Sequence, residues 1–125
     1  MSITFNHTII AAKDREESAR FYRELLEVPE APSWGVFTNI QLDGGVLLQF
    51  AEPPVEEIQV QHYAFLVDDA LFDRAYARIQ ERDLDHWADP HGAEPGRINH
   101  DHGGRGVYFK DPAGHGLEII TSPYL

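Results

Sequence analysis

A chain of 125 residues, 42% hydrophobic and 25% charged, has the size and make-up of one soluble domain that can bury a core unaided. Against 21 Asp and Glu stand only 10 Lys and Arg, and the formal charge of -11 repels phosphate backbones and anionic membrane surfaces, which argues against nucleic-acid or membrane partners. With no cysteine there is neither disulfide nor thiolate chemistry; no apolar run approaches the roughly 20 residues of a membrane span, and Met1-Ser2-Ile3-Thr4 leads straight into a strand pattern without a secretory signal, so a cytoplasmic location is expected.

The segment 3–10 is rich in β-formers, and Ile3, Phe5, His7 and Ile9 fall on one face of a strand. Asp14, with Glu17 three residues on, is a capping box that opens a helix running to about Leu26. Along that helix Ser18, Phe21, Tyr22, Leu25 and Leu26 form an apolar-leaning stripe. Short strands are expected over 36–42 and 46–51, joined by the hairpin signal Asp43-Gly44-Gly45. Pro53-Pro54 then breaks the chain. A strand over 59–67 follows, then a helix over 69–82 that buries Phe72, Tyr76 and Ile79. The Pro-, Gly- and His-rich stretch 88–103 reads as a loop insertion. Beyond it come a strand over 106–110, a type I turn at Asp111-Pro112-Ala113-Gly114, and a last strand over 116–121.

The order of elements repeats, and so do residues. At an offset of 55, Asn6-His7-Thr8-Ile9-Ile10 aligns with Gln61-His62-Tyr63-Ala64-Phe65, Asp14 with Asp69, Phe21 with Tyr76 and Arg23 with Arg78. Near the end of each half, residues 45–50 align with 114–119, which sets Gln49 opposite Glu118. The second half is longer by the loop insertion.

Four polar side chains stand inside strands at positions that the alternation assigns to a buried or cavity-facing side: His7, Gln49, His62 and Glu118. Taken singly, a strand histidine is more often a hydrogen-bonded packing residue than a ligand, and a glutamate in a last strand more often sits at an exposed edge. The pairing changes this, because each half supplies one histidine from its first strand and one oxygen donor from its last. Two neutral imidazoles and a carboxylate suit a divalent Zn, Fe, Ni, Co or Mn ion and leave coordination positions open for a substrate. An unpartnered buried carboxylate would cost several kcal/mol, so a cation is the expected partner.

These segments resemble the vicinal-oxygen-chelate superfamily, also called the glyoxalase/bleomycin resistance protein/dioxygenase family, over nearly the whole chain. The matching stretches are Asn6-His7-Thr8, the D-x-x-x-S-x-x-F-Y run from Asp14 to Tyr22, Gln61 to Val67, and Tyr108-Phe109-Lys110-Asp111-Pro112-Ala113-Gly114-His115-Gly116-Leu117-Glu118. The resemblance implies an α+β domain spanning 1–125, made of two βαβββ modules (1–54 and 55–125) that form a cupped mixed sheet around a metal, usually in a homodimer. It implies His7, His62 and Glu118 as metal ligands with Gln49 at the fourth position. In some relatives the modules are swapped between subunits, so that His7 meets His62 and Glu118 of another chain.

Relatives of the glyoxalase I kind carry a carboxylate where Gln49 stands, and an amide cannot act as a general base near neutral pH. Methylmalonyl-CoA epimerases use glutamine there, but no basic patch for a coenzyme A phosphate is evident. Extradiol dioxygenases and fosfomycin-modifying transferases use two histidines and a glutamate. The expected function is therefore a metalloenzyme that chelates a small oxygenated substrate through two oxygens, as a dioxygenase, isomerase, epimerase or transferase. The alternative is a protein that sequesters an aromatic or cationic drug without catalysis. Glu118 and Tyr108 are the candidate catalytic residues, with Arg105, His100, His102, Trp34 and Trp87 as further neighbours of a site.

Overall fold

The computed structural model describes residues 2–125. They form two compact units, one up to Gln59 and one over Val60–Leu125. In chain order the elements are β1 (His7–Ala11), α1 (Arg15–Leu26), β2 (Thr38–Gln41), β3 (Leu47–Ala51), β4 (His62–Leu66), α2 (Asp69–Glu81), β5 (His86–Trp87), β6 (Gly106–Lys110) and β7 (Gly116–Ile120). The fold is α+β, as the sequence leads one to expect. No helix among the described residues is long and apolar enough to cross a membrane.

In the first unit α1 starts where Asp14 stays extended and its carboxylate accepts the N–H groups of Glu16 and Glu17, both at 3.1 Å. It ends at Glu27, which turns left-handed at φ 59°. The sheet has the order β1-β3-β2, with β1 parallel and β2 antiparallel to the central β3. One face carries Ile10, Ile40, Leu48 and Phe50, all buried, and Tyr22 of α1 sets its ring 4.9 Å from that of Phe50. The second strand of a βαβββ module, the one that follows the helix, is reduced here to a single bridge, Glu30 to Ile40.

The second unit repeats this plan with the order β4-β7-β6-β5. Its β4 runs parallel to the neighbouring β7, and β6 runs antiparallel to both β7 and β5. The buried face consists of Val107, Phe109, Leu117 and Ile119, and α2 buries Phe72, Ala75 and Ile79. Tyr76, expected in the core, is only half-buried because its hydroxyl donates to His86 Nε2 at 3.1 Å. Arg105 lies with its guanidinium 4.5 Å from the centre of the Phe72 ring and pairs with Asp73 at 2.7 Å and Asp69 at 2.9 Å. These pairs raise its pKa, Asp73 first.

The insertion 88–103 is more ordered than a plain loop. Asp89 accepts the backbone N–H groups of His91, Ala93 and Glu94, which hold its carboxyl below the usual range, the bond from Ala93 most of all. Asn99 bridges to Gly106 and donates its amide to Ala88 O at 2.8 Å.

Candidate functional site

The strand register reproduces the internal repeat. His7 pairs with Leu47 and Ile9 with Gln49; in the second unit His62 pairs with Gly116 and Ala64 with Glu118. Gln49 and Glu118 are thus the third residues of the two central strands, each on the sheet face opposite the helix-covered core. His7 and His62 open the edge strands beside them.

This placement divides the four side chains. Only the oxygen donors are buried: Gln49 is 6% and Glu118 2% exposed, whereas His7 is exposed and the His62 side chain is 51% exposed. The reason is topological. β3 and β7 lie inside their sheets, while β1 and β4 are edges with a neighbour on one side only. Alternate residues on those edges, Ile9 and Leu66 among them, are open as well.

In the second unit the structure brings His62 and Glu118 together, Nε2 to Oε1 at 3.0 Å. The imidazole N–H donates to the carboxylate in this arrangement. Glu118 Oε2 accepts the hydroxyl of Tyr124 at 2.5 Å. Tyr108, opposite Glu118 on β6, lies 3.3 Å from Tyr124 through their hydroxyls, and its ring stacks near that of His62 with centroids 6.0 Å apart. Burial is the main cause that pushes the Tyr108 phenol far up from its ordinary value, followed by its bond to Tyr124 and the Glu118 charge. The Tyr124 phenol is also raised, first through its bond to Glu118.

In the first unit His7 Nδ1 donates to Asn6 Oδ1 at 2.7 Å, which leaves Nε2 with a free lone pair. Gln49 shares the sheet face of His7 and Ile9, with Asn39 opposite on β2. Among the described residues, no group of three or more His, Cys, Asp or Glu side chains is gathered in a way that could hold a metal.

Of the other neighbours singled out by sequence, Arg105 is engaged with α2. Trp34 is exposed, and Trp87 pairs opposite Tyr108 on β5. His100 stays on the surface, but His102 stacks on Tyr124 with centroids 4.2 Å apart. Tyr124 itself escaped the sequence reading, since a tyrosine in a tail behind Pro123 belongs to no periodic pattern.

The backbone around this pair is fixed by the turn before β7. Asp111 Oδ1 accepts the N–H groups of Ala113 and His115, each at 2.9 Å, and Gly114 takes φ 96°, a left-handed value that favours glycine. His115, 1% exposed, accepts the N–H of Gln61 at Nδ1, 3.0 Å away. The residue before His62 is therefore tied directly to the turn that leads into the strand of Glu118.

The duplicated strand–helix–strand units, with a histidine on each edge strand and an oxygen donor on each central one, define a glyoxalase-type fold. The chain belongs to the Glyoxalase/Bleomycin resistance protein/Dioxygenase superfamily, whose family description matches residues 4–119. Among solved structures it is similar to Oxidase ChaP-H2, at 47% identity and a TM-score of 0.95 over 99% of this chain and 97% of that one. It is likewise similar to Oxidase ChaP-H1, at 49% identity and a TM-score of 0.94 over 98% of both chains. Glutathione transferase FosA of Serratia marcescens is 27% identical over 121 residues, 93% of this chain and 79% of that protein.

Proposed function

We propose that the chain is a metal-dependent oxidative enzyme for a small oxygenated molecule, with His7, His62 and Glu118 as ligands of one divalent ion (Fe, Mn, Ni, Co or Zn) and Gln49 at a fourth position. The observation that carries this reading is the His62–Glu118 pair. Its two atoms, His62 Nε2 and Glu118 Oε1, are a nitrogen and an oxygen that would hold the ion from adjacent strands. They lie 3.0 Å apart. The donor chemistry fits, since an imidazole nitrogen and a carboxylate oxygen side by side are the kinds of donor that hold such an ion. His7, with its proton on Nδ1, has the free Nε2 that a ligand needs.

Such an ion supplies Lewis acidity toward two neighbouring oxygens of one substrate. The chain's own groups do the rest. Tyr108 keeps its proton because burial and the nearby carboxylate hold its phenol high, so it donates a hydrogen bond at the carboxylate side of the site. Gln49 orients and does not take up protons, being an amide.

The oxidative assignment is supported by the likeness to the two oxidases along nearly the whole chain. Thiol transfer is the second reading, favoured by the likeness to the Serratia transferase. A homodimer in the cytoplasm belongs to the same proposal, with a solution mass twice that of the chain as its check.

The test is oxygen uptake by protein loaded anaerobically with Fe(II) and then given catechol. Uptake that needs iron and disappears in His62→Ala supports the reading. Metal-dependent thiol consumption without oxygen uptake selects the transferase. Failure to take up any of Fe, Mn, Ni, Co or Zn leaves a small-molecule-binding protein.

A further inference from the structure

The tail behind β7 reaches back to the carboxylate that the proposed site depends on. Glu118 divides its two oxygens between different partners, Oε1 toward His62 and Oε2 to the hydroxyl of Tyr124.

Tyr124 is 51% exposed and belongs to no helix or strand, so the core does not require its placement. Its ring is held instead by the loop insertion. His102 stacks on it, and Ser122 Oγ donates to His102 O at 2.8 Å. Loop and tail also touch at backbone level. A Cβ added at Gly104 would stand 2.6 Å from Thr121 Oγ1 and 2.7 Å from Ser122 Cβ, so only glycine allows the approach.

We propose that Tyr124 is a positioning residue that makes Glu118 a one-oxygen metal ligand. By occupying Oε2, its hydroxyl leaves Oε1 as the single oxygen offered beside His62 and keeps a further coordination position open for substrate. Without that hydroxyl Glu118 would be free to offer both of its oxygens to an ion. His102, through its stacking on Tyr124, ties the insertion of the second unit to the same carboxylate. The inference rests on the metal reading above.

The test uses the full chain titrated with Co(II), read by visible absorption and by competition with a chelator. In Tyr124→Phe the ring and its stacking on His102 are kept and only the hydroxyl is lost, so the chain stays folded and its urea midpoint drops by no more than the loss of the one bond to Glu118 Oε2 accounts for. The expected result is a weaker Co(II) band, as the ion gains a ligand atom. An affinity change of about 10- to 100-fold accompanies it, the range typical when a group that orients a ligand is removed. The spectrum decides, because a purely structural role leaves it untouched. A Tyr124→Phe spectrum identical to that of the unmodified chain overturns the proposal while the metal site stands. Absence of Co(II) uptake by the unmodified chain, or uptake that survives His62→Ala, brings down the metal reading and this proposal with it.

Discussion

Gln49 and Glu118 occupy the same place in the two units, each the third residue of a central strand, two steps along the ladder from the partner of an edge-strand histidine. The duplication keeps the position and changes the chemistry, from an amide in one unit to a carboxylate in the other. Their substitutions therefore differ in effect. Glu118→Ala and His62→Ala are expected to abolish divalent metal uptake, whereas Gln49→Ala retains it with weakened affinity. Metal content after loading and dialysis checks the order, and equal losses in all three contradict it.

Tyr108 faces the same carboxylate from β6 but supports no core contact with its hydroxyl. Tyr108→Phe is expected to keep metal uptake and to stay within about 1 kcal/mol of the unmodified stability. Turnover is expected to fall on the order of 100-fold, as when a proton-donating group is lost. A turnover number measured on metal-saturated protein checks this.

His115 has a structural task, since its buried ring accepts the Gln61 N–H and sets its edge against Tyr63 with centroids 5.6 Å apart. His115→Ala opens a cavity and orphans a backbone donor, and a loss of about 2–4 kcal/mol in urea unfolding is expected. His115→Gln, which can present a side-chain oxygen to the same N–H, is expected to recover part of it.

Tyr63 links stability to alkaline pH. Burial first, and the Asp111 charge second, raise its phenol above the ordinary 10.0. Folding thus favours the neutral form. That contribution is whole below about pH 10 and is lost as the pH rises through the folded value. Urea midpoints measured from neutral pH upward should fall on this alkaline limb, and Tyr63→Phe should flatten the fall. An identical slope in both proteins contradicts the assignment.

Much of this architecture was legible because the repeat is carried by strong local signals. Asp14 caps α1 as its spacing predicts, and the alignment of Gln49 with Glu118 reappears in the strand register. The misses have local causes. The expected strand from Ile3 begins only at His7, since β3 starts at Leu47 and leaves the earlier residues without a ladder. β5 is two residues long and gains its order by pairing with β6, which no window of apolar alternation reveals. For the site, sequence located the two residues that meet, His62 and Glu118. It did not foresee which of the four polar groups would be open to water, because edge or centre is a property of strand order and not of the strand's own residues. Tyr124 was silent for a similar reason, as its role depends on where a turn directs the tail.

The bonds among Asp111, His115 and Gln61 have a thermodynamic consequence. They lock the start of β4 to the hairpin of β7, with Gly116 N–H also donating to Gln61 O at 2.9 Å. The entropy of bringing an imidazole and a carboxylate into register is thereby met when the polypeptide collapses, and a later guest does not have to supply it again. If an ion is held at this face as proposed, a change that loosens the hairpin is expected to weaken its binding without touching a single group that meets it.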